Sequence, residues 1–244
     1  MNAQLSRFYA SVAYNGSTWY LLNEPNDANK DKQIFYYRGG GNGYTNTMFW
    51  LRTGIGVMKF VHPDDTNRDE KEEYIRKKAE PAIRYAEILL IYAEALNELT
   101  GNYNIASWDE ETQYTIQRNI DEMKKGIQPI RIRAGIPDYT RSEYEDQDLF
   151  REKLKRERQI ELMGEGHRYY DIRRWKDAEV EESLPIYGCN TLMTEKWRDV
   201  FHVPVAIPSL PTNFSRKMYF WPISHSELKR NKMLTQNPGW TYND

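Results

Sequence analysis

Between residues 85 and 99, apolar side chains recur at alternating intervals of four and three, which is the spacing of one face of an α-helix. The members of this stripe are Tyr85, Leu89, Tyr92, Leu96 and Leu99. Alanines at 82, 86 and 93 make a second face of small side chains, which permits another helix to approach closely. The sequence therefore predicts an amphipathic helix over about 81–99, with Gly101 as its C-terminal stop.

A second stripe with the same stepping predicts another helix over about 109–127. Its members are Ile116, Ile120, Met123 and Ile127. Ser107 and Glu110 have the spacing of a capping box at its start, and Gly126 and Pro129 are expected to bend or end it. Because the connection is short, we expect the two helices to form an antiparallel pair with their stripes in contact.

Further cap signals predict more helices. Thr140 with Glu143, or Ser142 with Glu145, can cap a third helix that runs to about residue 163, and Ser224 caps a last short one. The segment Leu99 to Tyr103 matches the L-x-G-x-Y part of a tetratricopeptide unit once, so a tetratricopeptide hairpin and an ordinary helical hairpin both stay open.

The remaining chain has a different character. Residues 1–70 are rich in Gly, Asn and aromatic residues, which predicts loops and short strands, and residues from about 176 are irregular and interrupted by prolines. We therefore expect a mainly α protein: a helical scaffold over 80–175, with a loop-rich lobe of short strands over 1–70 and an irregular segment over 176–244.

Composition excludes several protein classes. A net charge of −2 argues against a dedicated nucleic-acid binder, which usually carries a basic excess. No apolar run approaches the ~20 residues that cross a bilayer. The single cysteine, Cys189, excludes an internal disulfide and a cysteine-based zinc site. Since the N-terminus lacks a signal-peptide pattern, we expect either a cytosolic protein or a piece of a longer one.

Motifs of catalysis and cofactor binding are missing from the sequence. The four histidines stand alone, and neither a nucleophile elbow nor a Walker sequence is present. The G-x-G within residues 39–43 is followed by no helix pattern and is interpreted as a flexible loop. Glu157, Glu161 and Glu165 share one helix face among arginines, which is typical of a structural ion network. The sequence thus predicts no catalytic residue, no metal site and no cofactor.

The aromatic excess of 18 Tyr and 7 Trp points to carbohydrate, because a ring face buries the apolar face of a sugar while amides satisfy its hydroxyls. The alternative is that these rings fill a core that is short of aliphatic residues. Both readings apply to any single ring between residues 14 and 50. The candidate carbohydrate-binding residues are Trp19, Tyr20, Tyr36, Tyr37, Tyr44, Trp50, Asn15, Asn42 and Asn46.

Residues 154–175, which read LKRERQIELMGEGHRYYDIRRW, resemble the hallmark I-x-x-E-R-x-I-E-L-x-x-E-G-x-R-x-x-D-x-x-R-W of the SusD/RagB family. Other landmarks of that family stand in the same order along nearly the whole chain. They are RFYASVAYNG at 7–16, RYAEILL with EALNE at 84–98, IRIRAG at 130–135, PIS at 222–224 and QNPGW at 236–240.

The resemblance implies the C-terminal half of a longer, lipid-anchored nutrient-binding protein at the outer surface of a Bacteroidetes-type cell, with neither signal nor anchor in this chain. It also implies a tetratricopeptide-like scaffold and no enzymatic activity. The implied partners are an oligosaccharide, a SusC-like TonB-dependent porin and the missing N-terminal half. The hallmark residues would form buried ion pairs, namely Glu157, Arg158, Glu161, Glu165, Arg168, Asp171 and Arg174.

Three alternatives to oligosaccharide binding stay open. Peptide capture in the RagB manner would favour a long closed groove over an aromatic platform. A protein–protein scaffold for the porin would place the ligand site in the other half. A glycoside hydrolase would need a pair of catalytic carboxylates in unequal environments, which the sequence supports least.

Overall fold

The computed structural model describes residues 5–19, 32–62, 64–67, 73–194, 199–210 and 212–241. The fold is mainly helical with short strands, as the sequence predicts. The chain forms two units, each with its own contacts: unit 1 comprises residues 1–34 and 56–167, and unit 2 comprises residues 35–55 and 168–244. The loop-rich first 70 residues therefore contribute to both units.

The helices and strands are numbered in chain order. The helices are α1 (Leu5–Ser11), α2 (Tyr85–Asn97), α3 (Ile120–Arg133), α4 (Arg141–Glu145), α5 (Gln147–Glu161), α6 (His167–Arg174), α7 (Ala178–Glu181) and α8 (His225–Arg230). The strands are β1 (Val12–Tyr14), β2 (Thr18–Trp19), β3 (Lys32–Gln33), β4 (Ile55–Val57), β5 (Thr66–Asn67), β6 (Glu73–Tyr74), β7 (Tyr103–Ala106), β8 (Gln113–Ile116), β9 (Tyr187–Gly188) and β10 (Val205–Ala206).

In unit 1, helix α2 packs against α3 and α5 around one apolar core. The predicted helix pair is present, and the predicted apolar stripe of α2 is confirmed in part: Leu96 is buried and Leu89 packs against the core, whereas Tyr85 is 76% exposed. Ala86, Ala93 and Leu90 are also buried, but Ala82 is exposed. The phenol of Tyr92 reaches the edge of the pair and donates a hydrogen bond of 2.8 Å to Glu122. Small side chains lie inside because the two helices approach closely.

Gly126 shows how closely α2 and α3 approach. A Cβ atom at this position would lie 2.5 Å from the carbonyl oxygen of Leu89 and 2.9 Å from the Cβ of Ala93. Of the two expected effects of Gly126 and Pro129, a bend or an end of the helix, the end is wrong, because α3 continues through both to Arg133. Gly126 serves close packing instead.

The predicted start of the second helix is also wrong. Strands β7 and β8 pair antiparallel, with Tyr103 opposite Ile116, so the residues expected to begin a helix form a β-hairpin. Ser107 and Glu110 lie in its turn, where Glu110 has a φ of 62°. Helix α3 begins only at Ile120, because the side chain of Asn119 accepts hydrogen bonds from the next amides.

Other helix ends differ from their predicted places. Helix α2 ends at Asn97, ahead of Gly101, and the amide of Glu98 bonds back to its last turn. The capping box of Thr140 and Glu143 is confirmed, but Asp146 interrupts the predicted long helix and caps α5 with its own carboxylate. Helix α8 follows Ser224 as expected, although the serine side chain makes no capping hydrogen bond.

Unit 2 is built from short elements around small apolar clusters. Ile172 and Ala178 from α6 and α7 pack with Phe214, while Phe201 is fully buried. Strands β9 and β10 pair antiparallel, with Val205 opposite Gly188. Residues 35–55 lie against this framework, and they carry most of the candidate carbohydrate-binding residues.

Candidate ligand-binding site

Backbone hydrogen bonds hold the segment 35–43 in a tight loop. The amide of Asn42 donates to the carbonyl of Phe35, and that of Gly43 donates to Gly40, each at 3.0 Å. The amide of Arg38 donates to the carbonyl of Met193 at 2.7 Å, which ties the loop to a distant part of unit 2. These bonds place Arg38 and Tyr44 at the surface beside residues near 192.

The segment 46–54 is fixed in a similar way. The side-chain oxygen of Asn46 accepts hydrogen bonds from the amides of Met48 (2.8 Å) and Phe49 (3.1 Å), which shapes the turn before Trp50. Gly54 has a φ of +66°, and a Cβ atom there would lie within 3.0 Å of Thr191, Phe201 and Cys189. The backbone on both sides of Trp50 is thus constrained, which restricts the position of this ring.

These two segments border a cavity of about 390 Å³ in unit 2. The side chains around it are Arg38, Tyr44, Thr47, Trp50, Arg52, Leu192 and Ser209. The rings of Tyr44 and Trp50 meet edge to face, with centroids 5.4 Å apart and an interplanar angle of 78°. Arg38 holds its guanidinium 5.4 Å from the centroid of the Tyr44 ring, and Arg52 donates to the Ser209 carbonyl at 3.1 Å.

This arrangement suits binding better than catalysis. Two half-buried aromatic rings offer apolar faces, and two guanidiniums and a threonine hydroxyl offer hydrogen bonds around them. No carboxylate of a described residue borders the cavity, so the acid–base pair of a glycosidase is missing there. Across the described residues, no group of three His, Cys, Asp or Glu side chains is arranged to hold a metal ion.

The predicted carbohydrate-binding residues are divided by the structure. Tyr44 and Trp50 border the cavity, and Asn46 shapes the turn beside it. Asn42 is exposed on the loop, whereas Tyr37 is only 5% exposed and offers no ring face to a ligand. Tyr36 is half-buried, and burial raises the pKa of its phenol. As expected for an alternating segment, Tyr36 and Tyr37 therefore differ in accessibility.

Two of the predicted residues belong to unit 1. Asn15 lies in the turn after β1, and Trp19 is half-buried in β2 opposite Lys32. Tyr20 lies outside the described residues. Arg38 and Arg52 are not among the predicted residues, although both are hydrogen-bond donors close in sequence to the aromatic candidates Tyr37 and Trp50. Leu192 and Ser209 are distant in sequence and gave no local signal.

The hallmark carboxylates form an ion network inside unit 1. Glu157 forms an ion pair with Arg7 (2.6 Å) and accepts a hydrogen bond from Arg131 (2.8 Å), and Glu161 accepts hydrogen bonds from Arg84 (3.1 Å) and Arg133 (2.5 Å). Burial alone would raise the pKa of Glu161, but hydrogen bonds and charges from Arg133 and Arg84 outweigh it, so the pKa is lowered. The structural interpretation of Glu157 and Glu161 is therefore confirmed.

The third carboxylate of the network, Glu165, is also paired with basic side chains that lower its pKa. Arg84 donates to Glu165 at 2.7 Å, and Lys59 pairs with Glu165 while it also donates to the carbonyl of Glu161. Burial opposes ionisation of Glu165, yet Arg84 and Lys59 lower its pKa.

The expectation that all the hallmark charges are buried is wrong for two arginines. Arg168 is half-buried and pairs with the exposed Glu181 at 2.8 Å. Arg174 is exposed, although its partner Asp171, at 2.9 Å, is buried. Long guanidinium side chains reach solvent while their partners stay inside the fold.

A sequence model of the SusD family matches residues 6–240 of the chain. The chain belongs to the SusD family. SusD family members are generally nutrient-binding surface proteins without catalytic activity, typically associated with the outer membrane and with SusC-like porins. In the described part of this SusD-family chain, no helix is long and apolar enough to cross a membrane.

Known relatives are similar in sequence and in fold. The "SusD-like protein P2" of Formosa agariphila is 31% identical over 162 residues, which is 65% of this chain and 25% of that protein. The solved structure of BT4246 has a TM-score of 0.75 at 24% identity, over 96% of this chain and 36% of BT4246. A SusD-like protein (BF3747) from Bacteroides fragilis has a TM-score of 0.69 at 24% identity, over 96% and 38%. The chain thus spans between a quarter and two fifths of these relatives.

Proposed function

We propose that this chain binds oligosaccharides without chemically changing them, in the cavity bordered by Tyr44 and Trp50. In the whole protein, held at the outer membrane on the cell surface by a lipid anchor, the bound glycan would be delivered to a SusC-like TonB-dependent porin. Membership of the SusD family supports the role in nutrient binding. The identity of the ligand as a sugar rests on the chemistry of the cavity.

The edge-to-face pair of Tyr44 and Trp50 carries this proposal. The planes of the two rings are inclined at 78° to each other, so a sugar that stacks on the face of one ring contacts the edge of the other. Each ring is half-buried, which leaves part of its surface for a ligand while packing limits its rotation. A rigid platform loses little side-chain entropy on binding, so stacking contributes more of its free energy to affinity.

The cavity also contains the donors that sugar hydroxyls need. Arg38, Arg52 and Thr47 surround the rings, and Asn42 is exposed on the neighbouring loop. Each hydrogen bond to a sugar replaces one to water, so its net contribution is small. Stacking with two or three such bonds predicts dissociation constants of roughly 10 μM to 1 mM, which correspond to about 4–7 kcal/mol.

A glycan screen by array and by retardation in polysaccharide gels tests this proposal. The parent chain should bind at least one class of oligosaccharide, and Trp50→Ala should weaken that binding by tenfold or more. The matched control is Trp108→Ala, because Trp108 is 95% exposed in the hairpin turn of unit 1 and does not border the cavity. This control variant should bind as the parent does.

Other results would favour the remaining candidates. Binding of peptides but of no glycan would replace the sugar proposal with peptide capture. Binding of neither ligand, together with retention of a SusC-like porin, would leave a scaffold role for this part of the protein. Equal loss of glycan binding in Trp50→Ala and Trp108→Ala would show that the cavity is not the binding site.

A further inference from the structure

The cavity that contains Tyr44 and Trp50 has an unbalanced local charge. Arg38 and Arg52 both border it, and no carboxylate of a described residue does. The chain as a whole has a net charge of −2, so the positive charge beside the cavity is local and is not a property of the whole chain. We infer that the cavity selects acidic oligosaccharides, whose carboxylates or sulfate esters pair with these two guanidiniums. This inference rests on the proposed function.

The partners of the two arginines support this inference. Within the described residues, no carboxylate forms an ion pair with Arg38 or Arg52; Arg38 faces the Tyr44 ring, and Arg52 donates to the backbone carbonyl of Ser209. The arginines of the ion network differ, because Arg84 and Arg131 are each paired with a carboxylate inside unit 1. Among the described residues, the positive charge of Arg38 and Arg52 is therefore not balanced by a carboxylate.

The chemistry of the guanidinium group defines the ligand class. Its planar fork donates two parallel hydrogen bonds to a carboxylate or to an oxygen-rich anion such as sulfate. Arg52 has five N–H donors, and the bond to Ser209 engages one of them, so most of the fork remains for a ligand. Arg52 is half-buried beside the aromatic rings, where charge pairs are weakened less by solvent than on an open surface.

The two arginines also differ in a way that an experiment can use. Arg38 is exposed, and the hydrogen bond that ties its loop to Met193 comes from its backbone amide, so a change of its side chain leaves that bond in place. Arg52 links its segment to Ser209 through its side chain, so its replacement removes a structural bond as well as a charge. Arg38→Gln is therefore the primary test variant, and Arg52→Lys, which keeps the charge, is the second.

The test compares acidic oligosaccharides with their neutralised forms by titration calorimetry. The probes are oligogalacturonides with their methyl esters, and sulfated galactan oligosaccharides with their desulfated forms. We expect the parent chain to bind at least one acidic member about tenfold or more tightly than its neutral counterpart, and to lose that preference as salt increases. Comparison of the two pairs shows whether the carboxylate or the sulfate is preferred.

In Arg38→Gln we expect the acidic ligand to lose about tenfold in affinity and the neutral one to lose clearly less, because glutamine still donates hydrogen bonds to a hydroxyl but carries no charge. Arg52→Lys should weaken acidic binding less, because its charge remains and only the fork is lost. The matched control is Arg216→Gln, an exposed arginine of unit 2 that does not border the cavity, and it should bind as the parent does.

The outcomes separate this inference from the proposed function. Equal affinity of the parent for acidic and neutral sugars, or equal losses for both in Arg38→Gln, overturns the inference and leaves oligosaccharide binding in place. Failure of every sugar to bind overturns the proposed function, and the inference with it. Binding of acidic peptides in place of acidic sugars also overturns the inference.

Discussion

Replacement of Glu161 by glutamine should destabilise the fold and leave ligand binding intact. Glu161 is 5% exposed, and it accepts hydrogen bonds from three arginines: Arg7 (3.3 Å), Arg84 (3.1 Å) and Arg133 (2.5 Å). The glutamine has nearly the same shape, so little packing is lost. It carries no charge, so three guanidiniums lose their shared counter-ion.

Loss of one partner of a buried ion pair typically costs about 3–5 kcal/mol. Arg133 has a side chain that is 59% exposed, so water compensates part of its loss, and the lower end of that range applies. For a chain of this size, a loss of about 3 kcal/mol lowers the melting temperature by roughly 6–12 °C. Thermal melts followed by circular dichroism and urea titrations measure both quantities.

The matched control for this experiment is Glu152→Gln on the same helix. Glu152 is exposed, and its ion-pair partner among the described residues is Lys155 one turn away, at 3.4 Å, so its loss should change stability by less than about 0.5 kcal/mol. If Glu161→Gln melted like the parent, the structural role of Glu161 would be refuted. If that variant also lost oligosaccharide affinity, Glu161 would have a role in ligand binding instead.

The remaining predictions concern the same scaffold. Gly126→Ala should cost about 1–3 kcal/mol in a urea titration, because its Cβ would meet the α2 backbone, whereas Gly101→Ala, with no atom within 4 Å, should cost almost nothing. The folded state lowers the pKa of Glu161, so the ionised carboxylate stabilises the fold. Stability should therefore fall as the pH drops below about 4.3, the usual pKa of a glutamate. The urea midpoint of Glu161→Gln should depend less on pH than that of the parent.

Much of the helical scaffold could be predicted from sequence, because its signals are local. The pair of α2 and α3 follows from the apolar stepping, and the capping box at Thr140 needs only four residues. The exact core face could not be predicted, because it depends on how closely the partner approaches. Alanines and Gly126 permit close approach, and the larger Tyr85 and Tyr92 are then left at the surface.

The hairpin of β7 and β8 shows a second limit. Ile116 fits both a helical stripe and an alternating strand, and a short segment does not distinguish the two periods. The structure settles the question with the pairing of Tyr103 and Ile116 and with the Asn119 cap beyond them. Ser107 and Asn119 are about equally good N-cap residues, so cap preference alone does not show where the helix begins.

The candidate site was predictable only in part. Its rings, Tyr44 and Trp50, are among the six aromatic candidates between residues 14 and 50, and no local signal distinguishes them from the buried Tyr37. Leu192 and Ser209 form the other wall of the cavity. Contacts such as the hydrogen bond from the Arg38 amide to Met193 hold that wall beside the rings. Such long-range contacts leave no trace in local sequence.

A crystal structure of the chain with the best ligand of the glycan screen would show directly whether the cavity holds a sugar. We expect a sugar ring stacked on Trp50 or Tyr44, with ring carbons about 4 Å from the aromatic plane and hydroxyl or acidic groups within hydrogen-bond distance of Arg38 or Arg52. A sugar bound at Trp19, or anywhere away from this cavity with Tyr44 and Trp50 left in contact with solvent, would contradict this expectation.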